Sequence, residues 1–149
     1  MNKFATLTLA LGIALAGATL PASAQNTTTE ASSEQAKVIY HINDSKGQAL
    51  SALRNMRNQL DTDPKAKIIA VAHADGIEFL ENDYDDADTV GPLISGLASR
   101  GVQFEVCEIT MKRKELTKDD FVMEAQFVPS GVVRITELQN KEGYAYVKP

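Results

Sequence analysis

Apolar residues along the chain follow two alternating rhythms: short β-branched runs, and longer segments with an apolar position every three or four residues. Val38-Ile39-Tyr40-His41-Ile42 is the first short run and reads as a strand. Asn43-Asp44-Ser45 supplies helix caps, and Leu50, Leu53, Met56 and Leu60 then recur at helical spacing until Asp61-Thr62-Asp63-Pro64. Lys67 to Ala72, centred on Ile68-Ile69-Ala70-Val71, predicts a second buried strand. Val90, Leu93, Ile94 and Leu97 mark another helix face, closed by Arg100-Gly101. Val102 to Val106 then form a third strand, which delivers Cys107. Thr110 to Phe121 reads as one or two short helices, with Thr117 three residues before Asp120 as a cap signal. Phe127-Val128 is a brief strand. Ser130 opens a helix through Val132, Ile135 and Leu138 that Gly143 ends, and Tyr144 to Val147 is a closing strand. Strands alternating with helices predict an α/β fold, a three-layer sandwich. Its mainly parallel sheet of about five strands carries helices on both faces.

A different pattern precedes this domain. Met1-Asn2-Lys3 leads into an uncharged apolar stretch from Phe4 to Leu20, followed by Pro21 and Ala22-Ser23-Ala24. A short basic start, an apolar centre and a small-x-small end form the layout of a secretory signal peptide, with cleavage expected after Ala24. The Ala, Gly and Thr content and the helix-breaking Pro21 argue against a retained membrane anchor. Gln25 to Gln35 is polar and uniform, as a disordered linker would be. The expected boundaries are therefore a leader over 1–24, a linker over 25–36 and one folded domain over 37–149.

Composition narrows the function. The formal net charge is -5, which argues against nucleic acid, where clustered Lys and Arg must neutralise phosphates. No basic amphipathic segment suits an anionic membrane surface, and no stretch beyond the leader reads as membrane-spanning. Cysteine usage changes the picture most. The chain has 1 Cys, and export would carry that lone thiol into an oxidising compartment without an internal partner. Such a cysteine is flagged as reactive or intermolecular.

His41, His73 and Cys107 end the first three expected strands, where open α/β sheets bind ligands. A strand order of 2-1-3 would place the first strand between the other two and bring all three residues to one rim. A Cys beside an imidazole is readily held as thiolate, its reactive form. The same trio also suits zinc or copper, although no local Cys-x-x-Cys or His-x-x-x-His spacing is present. The plainer alternatives are a packed histidine with one hydrogen bond at each strand end, and a buried, inert thiol. A helix opening at Thr110 and the basic run Lys112-Arg113-Lys114 would favour an anionic sulfur donor or a thiolate; Glu105 and Glu108 oppose it. With no second Cys, an intramolecular disulfide cycle is excluded. A persulfide, a mixed disulfide or a bond between subunits stays open.

Other motifs fail their tests. An EF-hand loop from Asp83 would need Gly where Asp88 stands and Glu where Ile94 stands. Asn43-Asp44-Ser45-Lys46-Gly47 occupies the phosphate-cradling position of nucleotide folds, yet lacks a Walker or dinucleotide pattern. No nucleotide or other cofactor is inferred, and Asn43 stays a candidate rim contact. No Gly-x-Ser-x-Gly elbow suggests hydrolase chemistry.

Val38-Ile39-Tyr40-His41-Ile42, Val71-Ala72-His73, Gly101 to Cys107 and Pro129-Ser130-Gly131-Val132 occur in that order, and Gly143-Tyr144-Ala145-Tyr146-Val147-Lys148-Pro149 ends the chain. This ordered set resembles the DsrE/DsrF-like (YchN-related) family, specifically its exported branch. The resemblance implies a flavodoxin-like sheet, homo-oligomers (trimers or hexamers), and a cysteine that carries sulfur in relay reactions in some members. Those relay members are cytoplasmic, whereas the leader here implies the periplasm. A periplasmic persulfide carrier acting through Cys107, with a sulfur donor and acceptor as partners, is the first expectation. His41 and His73 would poise the thiolate. A ligand- or metal-binding module without turnover, or an oligomeric structural protein, are the alternatives.

Overall fold

The computed structural model describes residues 35–149, so the expected leader and most of the expected linker lie outside the described residues. Within that span, β1 (Lys37–Asp44), β2 (Lys67–Asp75), β3 (Gln103–Cys107), β4 (Ala125–Val128) and β5 (Ala145–Val147) form one parallel sheet. The connecting helices are α1 (Leu50–Thr62), α2 (Ala87–Ser99), α3 (Glu108–Arg113) and α4 (Gly131–Glu142). The α/β sandwich with helices on both faces is thus the observed architecture.

The strand order is β4-β3-β2-β1-β5. This corrects the 2-1-3 order considered from sequence: β2, not β1, lies between the other two cysteine- and histidine-bearing strands. The first three crossovers each step the sheet one place in the same direction, and the last returns to the opposite edge. Right-handed crossovers then put α1, α2 and α3 on one face and α4 alone on the other.

Packing follows that division. Val38, Tyr40, Ile42, Ile68, Phe104 and Val106 meet Leu53, Met56, Leu60, Ile94 and Leu97 in one large core. On the opposite face Ile39, Ile69 and Val71 meet Ile135 and Leu138 of α4, with Tyr144 packed against them. Each fully buried aliphatic or Phe side chain of this kind contributes about 1.5–3 kcal/mol.

Element ends match most of the cap signals. Ser130 accepts a long 3.5 Å hydrogen bond from Val133 N–H at the start of α4. Gly143, at φ 72, supplies the left-handed residue that ends the helix. The Thr117–Asp120 capping box forms around a short 3-10 turn, Lys118–Asp120. One expectation shifts: α3 opens at Glu108 with Cys107 at its N-cap, rather than at Thr110. Thr110 is instead buried within the first turn, and its Oγ1 accepts from Ala74 N–H at 3.1 Å. Its hydroxyl serves a tertiary contact, not a cap.

Candidate functional site

Strand alternation sends successive side chains to opposite faces. In β1 the residues two and four after Ile39 are His41 and Asn43; in β2, His73 follows Val71 by two; in β3, Cys107 follows Glu105 by two. All of these therefore share the face covered by α4 alone. Ala72 pairs with Val106, so His73 and Cys107 each stand one residue beyond that pair, at the carboxyl rim. Convergence survives the changed strand order because β2 is adjacent to both β1 and β3.

The two histidines touch. His41 Nε2 lies 2.6 Å from His73 Nε2, and His41 Nδ1 lies 2.6 Å from the Tyr146 hydroxyl. Lys148 reaches over the same end from β5's exit, donating to His41 O at 3.3 Å, to Gln48 Oε1 at 3.1 Å and to Asn43 Oδ1. Burial, then the Lys148 charge and then His73 hold His41 down from its ordinary 6.5 to about 4. Burial and Lys148 lower His73 as well. Both imidazoles are accordingly neutral at pH 7. Asn43, proposed from sequence as a ligand contact, is engaged with Lys148.

Cys107 is 5% exposed. Burial pushes its thiol up, but the N–H groups of Gly131, Thr110 and Ile109 and the Thr110 hydroxyl more than offset it, leaving the thiol below its ordinary value. Cys107 makes no side-chain capping hydrogen bond to α3, so these groups act as a surrounding positive field rather than as a formed cap. Gly131 permits the close approach. A Cβ built there would lie 3.3 Å from the Cβ atoms of both Cys107 and His73. Ala74, held at φ 50, stores backbone strain just after His73, and Thr110 pins its N–H.

The charges that seemed to oppose a thiolate are accounted for in part. Glu105 is 4% exposed and accepts from Arg134 Nε at 3.1 and 3.0 Å. That pair ties α4 to the sheet, and Arg134 also reaches Glu142 of its own helix at 3.0 Å. Glu108 pairs with Lys118 at 3.1 Å. The basic run does not act as a unit. Lys114 is committed to Glu78 at 2.7 Å and Asp75 at 3.0 Å, while Lys112 and Arg113 are exposed.

The structure thus brings together His41, His73 and Cys107, with Asn43 behind them, and leaves Lys114 in an ion pair. It adds Tyr146, Lys148 and Gly131, which sequence reasoning did not assign to the site, and gives Thr110 a place there within the first turn of α3 rather than at a helix start. Among the described residues no group of three His, Cys, Asp or Glu side chains is arranged to hold a metal ion.

Comparison with known proteins agrees with this architecture. A model of the DsrE/DsrF-like family matches residues 23–149. The solved structure of a protein of unknown function from Methanobacterium thermoautotrophicum is 28% identical, with a TM-score of 0.70, covering 77% of this chain and 100% of that one. A conserved protein of unknown function from Bacteroides thetaiotaomicron shares the fold at 14% identity and a TM-score of 0.56, covering 76% of this chain and 94% of that one. A search of curated proteins returned no significant match.

Proposed function

Because the chain belongs to the DsrE/DsrF-like family, which is associated with sulfur relay, we propose that it carries sulfane sulfur as a persulfide on Cys107. The observation that carries this reading is the set of backbone N–H groups from Gly131, Thr110 and Ile109 turned on a lone thiol at the carboxyl rim of the sheet. The Cys107 thiolate attacks the outer sulfur of a persulfide, polysulfide or thiosulfate donor. A new S–S bond forms, the donor's own S–S bond breaks, and the donor leaves as thiolate, shortened polysulfide or sulfite. An acceptor thiolate then attacks the outer sulfur and releases the Cys107 thiolate. No external oxidant or reductant is needed. The lack of a second Cys suits a carrier, because nothing within the chain can discharge the persulfide as a disulfide.

The leader pattern supports a periplasmic location for this activity, with cleavage after Ala24. The exposed Val132 and Val133 on α4, 59% and 56% accessible, suit association of copies into the homo-oligomer that the family resemblance implies.

Intact mass of the natively purified protein, before and after polysulfide or thiosulfate, tests the reading. A reducible gain of whole sulfur atoms that is absent in Cys107→Ser is the expected result. An equal gain in both proteins, or none in either, overturns it.

A further inference from the structure

We propose that Tyr146, His41 and His73 form a proton wire from solvent to the Cys107 rim, with Tyr146 as the positioning residue; the inference rests on the sulfur-carrier reading. The chain holds 2 His, and both are in this cluster. Their Nε2 atoms lie 2.6 Å apart, a separation that accommodates one proton and not two. The ring planes are inclined by 27° with centroids 4.7 Å apart, which sets the two Nε2 atoms nearly end to end, and the outer nitrogen of His41 meets the Tyr146 hydroxyl at 2.6 Å. Tyr146 is 43% exposed, so one end of the row is wet. The other end is His73, which flanks Gly131 together with Cys107.

These contacts allow two arrangements of the same number of protons. In the first, Tyr146 O–H donates to His41 Nδ1, His41 Nε2–H donates to His73 Nε2, and His73 carries its second proton on Nδ1. In the other, His73 Nε2–H donates to His41 Nε2, and His41 Nδ1–H donates to the Tyr146 oxygen. His73 Nδ1 is then bare. Passing from the first to the second delivers one proton from His73 Nδ1 and takes one from water at Tyr146. That proton goes to the thiolate that leaves when the donor's S–S bond breaks. The reverse passage removes a proton from the incoming acceptor thiol.

Lys148 gives the wire its charge state. Held by His41 O, Asn43 Oδ1 and Gln48 Oε1, its ammonium stands beside both rings and disfavours an imidazolium. Neutral rings exchange tautomers and pass protons on; a charged ring would place two Nε2–H groups against each other.

Tyr146→Phe tests the wire on the intact chain, with polysulfide as the donor. Loading of Cys107 is expected to slow by about tenfold or more and to lose its solvent deuterium isotope effect, with final loading unchanged. Nitrogen NMR of the two imidazoles at pH 7 is expected to show neutral rings whose tautomer balance shifts in Tyr146→Phe. Loading at the native rate with the native isotope effect, or charged rings at pH 7, overturns the wire. Native protein that takes up no sulfur overturns the carrier reading itself, and the two failures are told apart by whether the native protein loads.

Discussion

The two faces of the sheet are built for different purposes. One carries three helices and a continuous apolar core in which Phe104, Leu53 and Met56 are fully buried. The other carries α4 alone over a small cluster, and polar residues take over toward its carboxyl rim: Glu105, His41, His73 and Cys107. The difference teaches where this fold can accommodate chemistry. A fully covered face must be apolar, because each buried polar group needs a partner. A face covered by one helix leaves its rim accessible, and the helix's first N–H groups turn toward whatever occupies that rim.

The strongest way to break the comparison is to damage the thick face. Phe104→Ala removes a buried ring packed edge-on against Phe79 at 6.4 Å between centroids. It is expected to cost about 3–5 kcal/mol. Leu138→Ala, on the thin face, is expected to cost about 2–3 kcal/mol because its smaller cluster can relax. Urea unfolding of both variants provides the measurement. Equal losses would show that the thin face contributes as much to stability as the thick one.

Periodicity made most of the elements on both faces legible in advance, but not how the helices divide between them. Leu50, Leu53, Met56 and Leu60 marked α1, and the β-branched runs marked β1, β2 and β3, because helix and strand repeats differ along the chain itself. The family was legible from an ordered set of short runs. Strand order was not, because nothing in the spacing of apolar residues states the direction in which each crossover steps. The misplaced order also hid two site residues. Tyr146 and Lys148 are remote from His41 in sequence and come beside it only because the last crossover returns β5 to the free edge of β1. Lys114 misled for a similar reason: sequence shows its basic neighbours but not Glu78 and Asp75 across the fold. Arg134, the partner that neutralises Glu105, is likewise brought in by tertiary packing.

A smaller perturbation sharpens the contrast at the point where α4 meets the rim. Gly131→Ala places a methyl 3.3 Å from two Cβ atoms and 3.5 Å from Val71 Cγ1. Either the neighbours yield or α4 moves away, at a cost of about 1–3 kcal/mol. Displacing α4 carries the Gly131 N–H from the sulfur, so the thiol should rise toward its ordinary value. The pH profile of iodoacetamide alkylation is expected to shift upward in Gly131→Ala. An unchanged profile would mean that Thr110 and Ile109 alone set the thiol's state.

The gentlest probe is acid, applied to the thin face through its two histidines. His41 is held at about 4 in the folded chain against its ordinary 6.5, and His73 is lowered as well. As pH falls from about 6.5 toward 4, the unfolded chain takes up protons on these rings that the folded chain refuses. Stability contributed by this pair is therefore full above about 6.5, declines through the window, and levels off below the folded values. Lys148 is a principal cause, so Lys148→Met should raise both imidazoles and flatten the decline, even though it breaks three hydrogen bonds. Urea midpoints measured at pH 7 and pH 5 separate these effects: the native chain should lose more between the two than Lys148→Met does. Equal losses would locate the cause in burial alone, which leads for both histidines, and would leave Lys148 as a clasp on β5.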